Sequence, residues 1–103
     1  MHYADVALLA TALSNELLAD TLRESFLAPL EAERDGGAAW RRTLRAYLDT
    51  GHNASTAAAA LGVSRKTVSA RLRAIEARLG RSLDSCAAEL EVALALHEPA
   101  LNP

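Results

Sequence analysis

Aromatic, cysteine and β-branched residues are scarce in this 103-residue chain, and each shortage excludes something. With only four aromatic side chains, a one-domain core must be made of leucine, alanine and valine. One isoleucine, four valines and six threonines leave little from which to build a sheet. The expectation is an all-α fold, a small bundle of about six helices. The single cysteine, Cys86, rules out an intrachain disulfide and favours a reducing compartment. No apolar run approaches the ~20 residues of a membrane span. The N-terminus carries Asp5, lacks a basic region, and its apolar run breaks at Ser14-Asn15-Glu16, so no signal peptide fits. A cytoplasmic protein without membrane contact is expected.

What the chain does hold is a positional charge pattern. The net charge of −2 conceals three blocks. Residues 41–81 carry nine basic side chains against Asp49 and Glu76, or +7; residues 1–40 sum to −5 and residues 82–103 to −4. Salt screens the acidic ends beyond about 8 Å, so the local field governs phosphate binding. Chance clustering of arginines on solvated faces is the bland alternative.

Six helical segments can be read. Val6, Leu8, Leu9, Ala12 and Leu13 form the first, with Asp5 placed to cap it. Ser14 or Asn15 can cap the second, whose Leu18, Leu22 and Phe26 make an i, i+4, i+8 stripe. Pro29 ends or kinks that helix. The polar segment Glu31 to Gly37, closing on Asp35-Gly36-Gly37, is expected to be a loop and the most flexible internal point. A third helix from Ala38 presents Trp40, Leu44, Tyr47 and Leu48 on one face and stops at Gly51. Gly80 stops the fifth helix, Leu83 packs back, and Asp84 is placed to cap a sixth carrying Leu90, Ala93, Leu94 and His97, which Pro99 ends. Two parts are expected: residues 1–37, a helical segment packing on or linking to the rest, and residues 38–103.

The informative stretch is Asn53 to Gly80, with the outline of a helix-turn-helix. Asn53 is a good N-cap for a helix over 54–61, in which Ala57, Ala58 and Leu61 face inward and the small Ala58 permits close approach. Gly62 occupies the turn, where a positive φ is needed, so its replacement by valine is expected to damage folding. Val63 plugs the turn and Ser64 caps a recognition helix over 65–79. That helix presents Val68, Leu72, Ile75 and Leu79 to the core. At about 100° per residue, Lys66, Ala70, Arg73 and Ala77 point away from it, with Thr67 and Ser69 on the shoulders.

A short, basic outer face with small residues suits insertion into the major groove of double-stranded DNA. Lys66, Ser69 and Arg73 are the candidate base readers, and Ala70 can meet a thymine methyl. Ser64 and Thr67, with free N–H groups at the helix start, can hold a phosphate. Arg65 and Arg71 are candidate phosphate clamps, Arg71 equally a structural ion-pair donor. Arg41, Arg42 and Arg45 are read first as a solvated face and second as phosphate contacts.

Trp40-Arg-Arg-Thr-Leu-Arg-Ala-Tyr-Leu48, then Gly51, Asn53, Ala58, Leu61-Gly62-Val63, Arg65, Thr67-Val68, Arg71-Leu72, Leu79-Gly80 and Leu83 resemble the C-terminal domain of PucR/CdaR-type bacterial transcription regulators. Asp5-Val6-Ala7-Leu8-Leu9 and Leu27-Ala28-Pro29-Leu30 look like the segment preceding that domain. The resemblance implies a sequence-specific DNA-binding domain, and an effector-sensing region upstream that this chain does not contain, so the chain is then a fragment. Two departures fall on the groove-facing surface. Ser64-Arg65-Lys66-Thr67 stands where members usually have His-Arg-Asn-Thr, and Ala70 where they often have an aromatic.

Helix-turn-helix proteins commonly read two half-sites as dimers, so a homodimer is expected, through the first two helices, the sixth or the upstream region. His2, His52, His97 and Cys86 lack metal-ligand spacing. Ser64 and Ser69 lack a His or Asp partner for nucleophilic catalysis. Neither an enzyme nor a cofactor is expected. The rival reading is a helical protein-interaction or dimerisation domain that does not bind DNA.

Overall fold

The computed structural model describes residues 3–97, with side chains from residue 6 onward. Six α-helices follow one another: α1 (Tyr3–Ser14), α2 (Glu16–Phe26), α3 (Ala38–Asp49), α4 (Ala54–Leu61), α5 (Arg65–Leu79) and α6 (Ala87–His97). Short 3₁₀ turns at Ala28–Leu30 and Asp84–Cys86 lie before α3 and α6, and no strand occurs among the described residues.

Several boundaries follow from local chemistry. Asn15 takes an extended backbone, which ends α1, and its side-chain oxygen accepts from Leu18 N, which caps the start of α2. Leu22 and Phe26 are buried as their spacing predicts, together with Ala19, whereas Leu17 stands 77% exposed. Pro29 sits inside the 3₁₀ turn that follows α2. Gly51 closes α3 in the left-handed region, and His52 N donates to Tyr47 O across the helix end.

Two expectations are corrected. Asp5 does not precede α1, because helical backbone already begins at Tyr3. Asp84 makes no side-chain cap; its carboxylate lies 3.3 Å from His52 Nδ1, and Ser82 Oγ accepts from Ser85 N instead. The Asp35-Gly36-Gly37 segment is a loop, as expected, and is hydrogen-bonded to the start of α3. The Asp35 carboxylate accepts from Gly37 N and Ala39 N, and Arg41 Nη1 donates to Gly36 O. These backbone donors, Ala39 N foremost, hold the Asp35 carboxyl below the usual aspartate range. Pro99 lies outside the described residues.

The central element is α6. Leu90, Val92 and Ala93 are fully buried, and Leu94, Ala95 and Leu96 nearly so, which makes the run 92–96 apolar on every side, while Glu89 and Glu91 lie half-buried earlier in the helix. It serves as the post on which α1, α2 and α3 pack, while α5 packs on α3 and α4. One continuous core runs from Ala12 through Leu22, Leu44, Val68 and Ile75 to Leu90 and Leu96. Burying a leucine or isoleucine side chain contributes about 1.5–3 kcal/mol. The inner faces of α3 and α5 are therefore anchored, and the outer face of α5 is left to solvent.

Candidate nucleic-acid interface

The two-helix motif has the outline read from the sequence. Asn53 is the N-cap of α4, its side-chain oxygen accepting from Thr56 N at 3.0 Å. Ala57 and Ala58 are buried, and small side chains there let α4 lie close against its neighbours. Gly62 has φ 71°, and Val63 N donates to Ala58 O across the turn. A Cβ built at Gly62 would meet nothing within 4 Å. The turn therefore requires glycine for its dihedral and not for space, which narrows the damage expected from replacing it.

Ser64 caps α5: its hydroxyl accepts from Thr67 N at 3.1 Å and lies 2.9 Å from Thr67 Oγ1. Both hydroxyls are thereby engaged with each other at the helix start. Val68 and Ile75 are fully buried and Leu72 nearly so, which sets the rotation of α5 about its axis. With that rotation Lys66, Ala70, Arg73 and Ala77 are all exposed, as the helical wheel predicts. Arg65, Lys66, Ser69, Ala70 and Arg73 line a single shallow depression on the outer surface.

Arg71 is oriented differently. It is half-buried, and its Nη1 donates at 3.2 Å to Thr43 Oγ1 on α3. Thr43 is fully buried, and its hydroxyl in turn donates to Ala39 O at 2.8 Å. Of the two roles open to Arg71, the structural one has a visible partner, and that partner is a threonine hydroxyl rather than an acid. Sequence reasoning did not single out Thr43. The signal was present, since Thr43 lies three residues after Trp40 and four before Tyr47 on the inward stripe of α3.

The basic block is also less uniform than its sum. Arg78 donates to Pro29 O at 3.0 Å and to Glu33 at 2.8 Å, with its guanidinium over the Trp40 ring. Arg81 lies over the Phe26 ring and Arg45 faces Asp49 at 3.7 Å. Arg65, Lys66 and Arg73 are the exposed cations of α5 that line the depression. The exposed positive charge lining the depression on α5 is thereby concentrated in its first three turns.

The other candidates for chemistry are separated. Cys86 is buried, its Sγ directed at Ser82 O, and burial pushes its thiol up from the usual range. His52 stacks on Tyr47 beside Asp84, and His97 is exposed at the end of α6. His2 lies outside the described residues. No group of three potential metal-ligating side chains occurs among the described residues. None of their helices is long and apolar enough to cross a membrane.

Residues 40–97 match the family model of the PucR C-terminal helix-turn-helix domain. No curated protein and no solved structure matches the chain. The family match covers more than half of the sequence, from Trp40 in α3 to the end of α6, and contains the whole α4–turn–α5 unit. The chain belongs to the PucR C-terminal helix-turn-helix domain family.

Proposed function

We propose that this chain is the DNA-binding domain of a bacterial transcription regulator, acting in the cytoplasm on double-stranded DNA without chemistry of its own. The observation that carries the reading is the shared depression of Arg65, Lys66, Ser69, Ala70 and Arg73 on the exposed side of α5, whose opposite side is anchored in the core. A rigid helix with cations and a hydroxyl at its N-terminal end can enter the major groove and address base edges. Lys66, Ser69 and Arg73 read bases, with Ala70 against a thymine methyl. Arg65 and the backbone N–H groups of the first turn of α5 hold phosphate, apart from that of Thr67, which the Ser64 hydroxyl already accepts. Arg71 braces the helix against α3 through Thr43 and can direct its remaining N–H groups to the DNA backbone. Residues 1–37 pack beside this 38–103 unit and join it to an effector-sensing region. Two copies act together on paired half-sites.

The test is a salt titration of binding to sites selected from a random DNA pool. Log K should fall linearly with log salt, by about one unit of slope for each phosphate contact. Arg73→Ala and Lys66→Ala should each lower affinity by about 1–3 kcal/mol and relax the base preference at one position. Salt-insensitive binding, or unchanged affinity and preference in both variants, would overturn the reading.

A further inference from the structure

The molecule carries two complementary surfaces that the α5 face does not use. The first is a groove between α3, α4 and α6. Its floor is apolar, made by Ala46, Ala60, Leu61 and Leu94, and Arg41 and Arg42 stand at its rim. Arg41 is tethered to Gly36 O, whereas Arg42 is exposed. The second is the corner of α1 and α2. Helix α1 is apolar on both its buried and its outward sides, leaving Val6 50% and Leu13 59% exposed, and Leu17 at the start of α2 is more exposed still. Asp20 and Glu24 lie three and seven residues after Leu17, on the same outward face of α2, and both are exposed; Asp20 is paired with Arg23 at 2.8 Å, so Glu24 is the acid the corner offers to a partner.

An apolar groove with a basic rim and an apolar corner flanked by Glu24 are complementary in both respects. We propose that the Leu13–Glu24 corner of one copy seats in the α3/α4/α6 groove of a second, and reciprocally, forming a two-fold dimer. Reciprocity follows from size and closure. A stable interface buries ~800 Å² on each partner, more than one leucine corner supplies, and a two-fold pair makes the contact twice. A one-way contact would instead propagate as an open chain. The proposal deepens the paired-copy part of the functional reading and rests on it.

Sedimentation velocity of the whole chain across a wide concentration range, without DNA, tests it. Leu17→Lys, Glu24→Arg and Arg42→Glu alter exposed side chains, so each should keep the wild-type helix content and Tm while losing the dimer. Mixing the Glu24→Arg chain with the Arg42→Glu chain should restore it. In that mixed pair one contact regains opposite charges by exchange and the other keeps the native pair. Wild-type association should also weaken as salt rises. A chain that stays monomeric throughout overturns this interface and leaves pairing of copies to the upstream region. Dimers that survive Leu17→Lys and Glu24→Arg overturn the interface alone. Half-site affinity of the Leu17→Lys monomer reports separately on DNA binding by α5.

Discussion

Replacing Gly37 by alanine should destabilise this domain more than replacing Gly62, although Gly62 lies in the helix-turn-helix turn. Both glycines have a left-handed backbone, φ 89° and 71°. An L-residue in that region costs about 1–2 kcal/mol relative to its preferred conformation. At Gly62 that is the whole penalty, since an added Cβ meets nothing within 4 Å. At Gly37 the added Cβ would stand 2.8 Å from Leu30 O and 3.1 Å from Leu30 C, closer than carbon tolerates. The obstructing atoms are backbone, so the 3₁₀ turn or α3 must move, and forced repacking of this kind costs about 1–3 kcal/mol more. The expected losses are therefore about 1–2 kcal/mol for Gly62→Ala and about 2–5 kcal/mol for Gly37→Ala. Urea denaturation monitored by circular dichroism at 222 nm, a wavelength that reports helix, measures both. With a slope of about 1–3 kcal/mol/M, the midpoints should separate clearly. Equal midpoints, or a milder effect at Gly37, would refute the argument that the loop before α3 is closely packed.

Thr43→Val should cost about 1–2 kcal/mol, because it removes the acceptor of a charged donor, Arg71, while the added methyl recovers part of the loss; thermal unfolding of Thr43→Val beside Thr43→Ser, which keeps the hydroxyl, checks it. The Cys86 thiol should react with a disulfide reagent only as fast as the domain opens, since it is buried and held in its protonated form; rapid labelling of the native protein would contradict this. Asp35 has a folded pKa below its ordinary value, so its contribution to stability is present above the unfolded pKa and is lost as pH falls through the folded one. The difference in urea midpoint between the wild type and Asp35→Ala should accordingly vanish in acid and be full at neutral pH. A difference independent of pH would show that the carboxylate is not the group responsible.

Much of this molecule is determined by chemistry within a few residues of chain. Asn15, Asn53 and Ser64 each bond a backbone N–H three residues on, which fixes the start of α2, α4 and α5 without reference to the rest of the fold. The 3.6-residue period of Val68, Leu72, Ile75 and Leu79 likewise determined which side of α5 would be buried, and hence that Lys66, Ala70 and Arg73 face solvent. That is why the candidate interface was legible before any coordinates.

The tertiary structure decided what no local rule reaches. It directed Arg71 to a buried hydroxyl 28 residues away, and Arg78 to Pro29 and Glu33 across 49 and 45 residues. It made Asp84 a neighbour of His52 rather than a cap, and brought Gly37 against the Leu30 carbonyl. It buried residues 92–96 of α6 on every side by packing helices from both earlier parts of the chain around them. Caps and periodicities depend on bonds and angles between near neighbours, so the sequence alone determines them. The partner of a long arginine, or the space left for one methyl group, depends on how distant segments meet, and only the folded chain settles that.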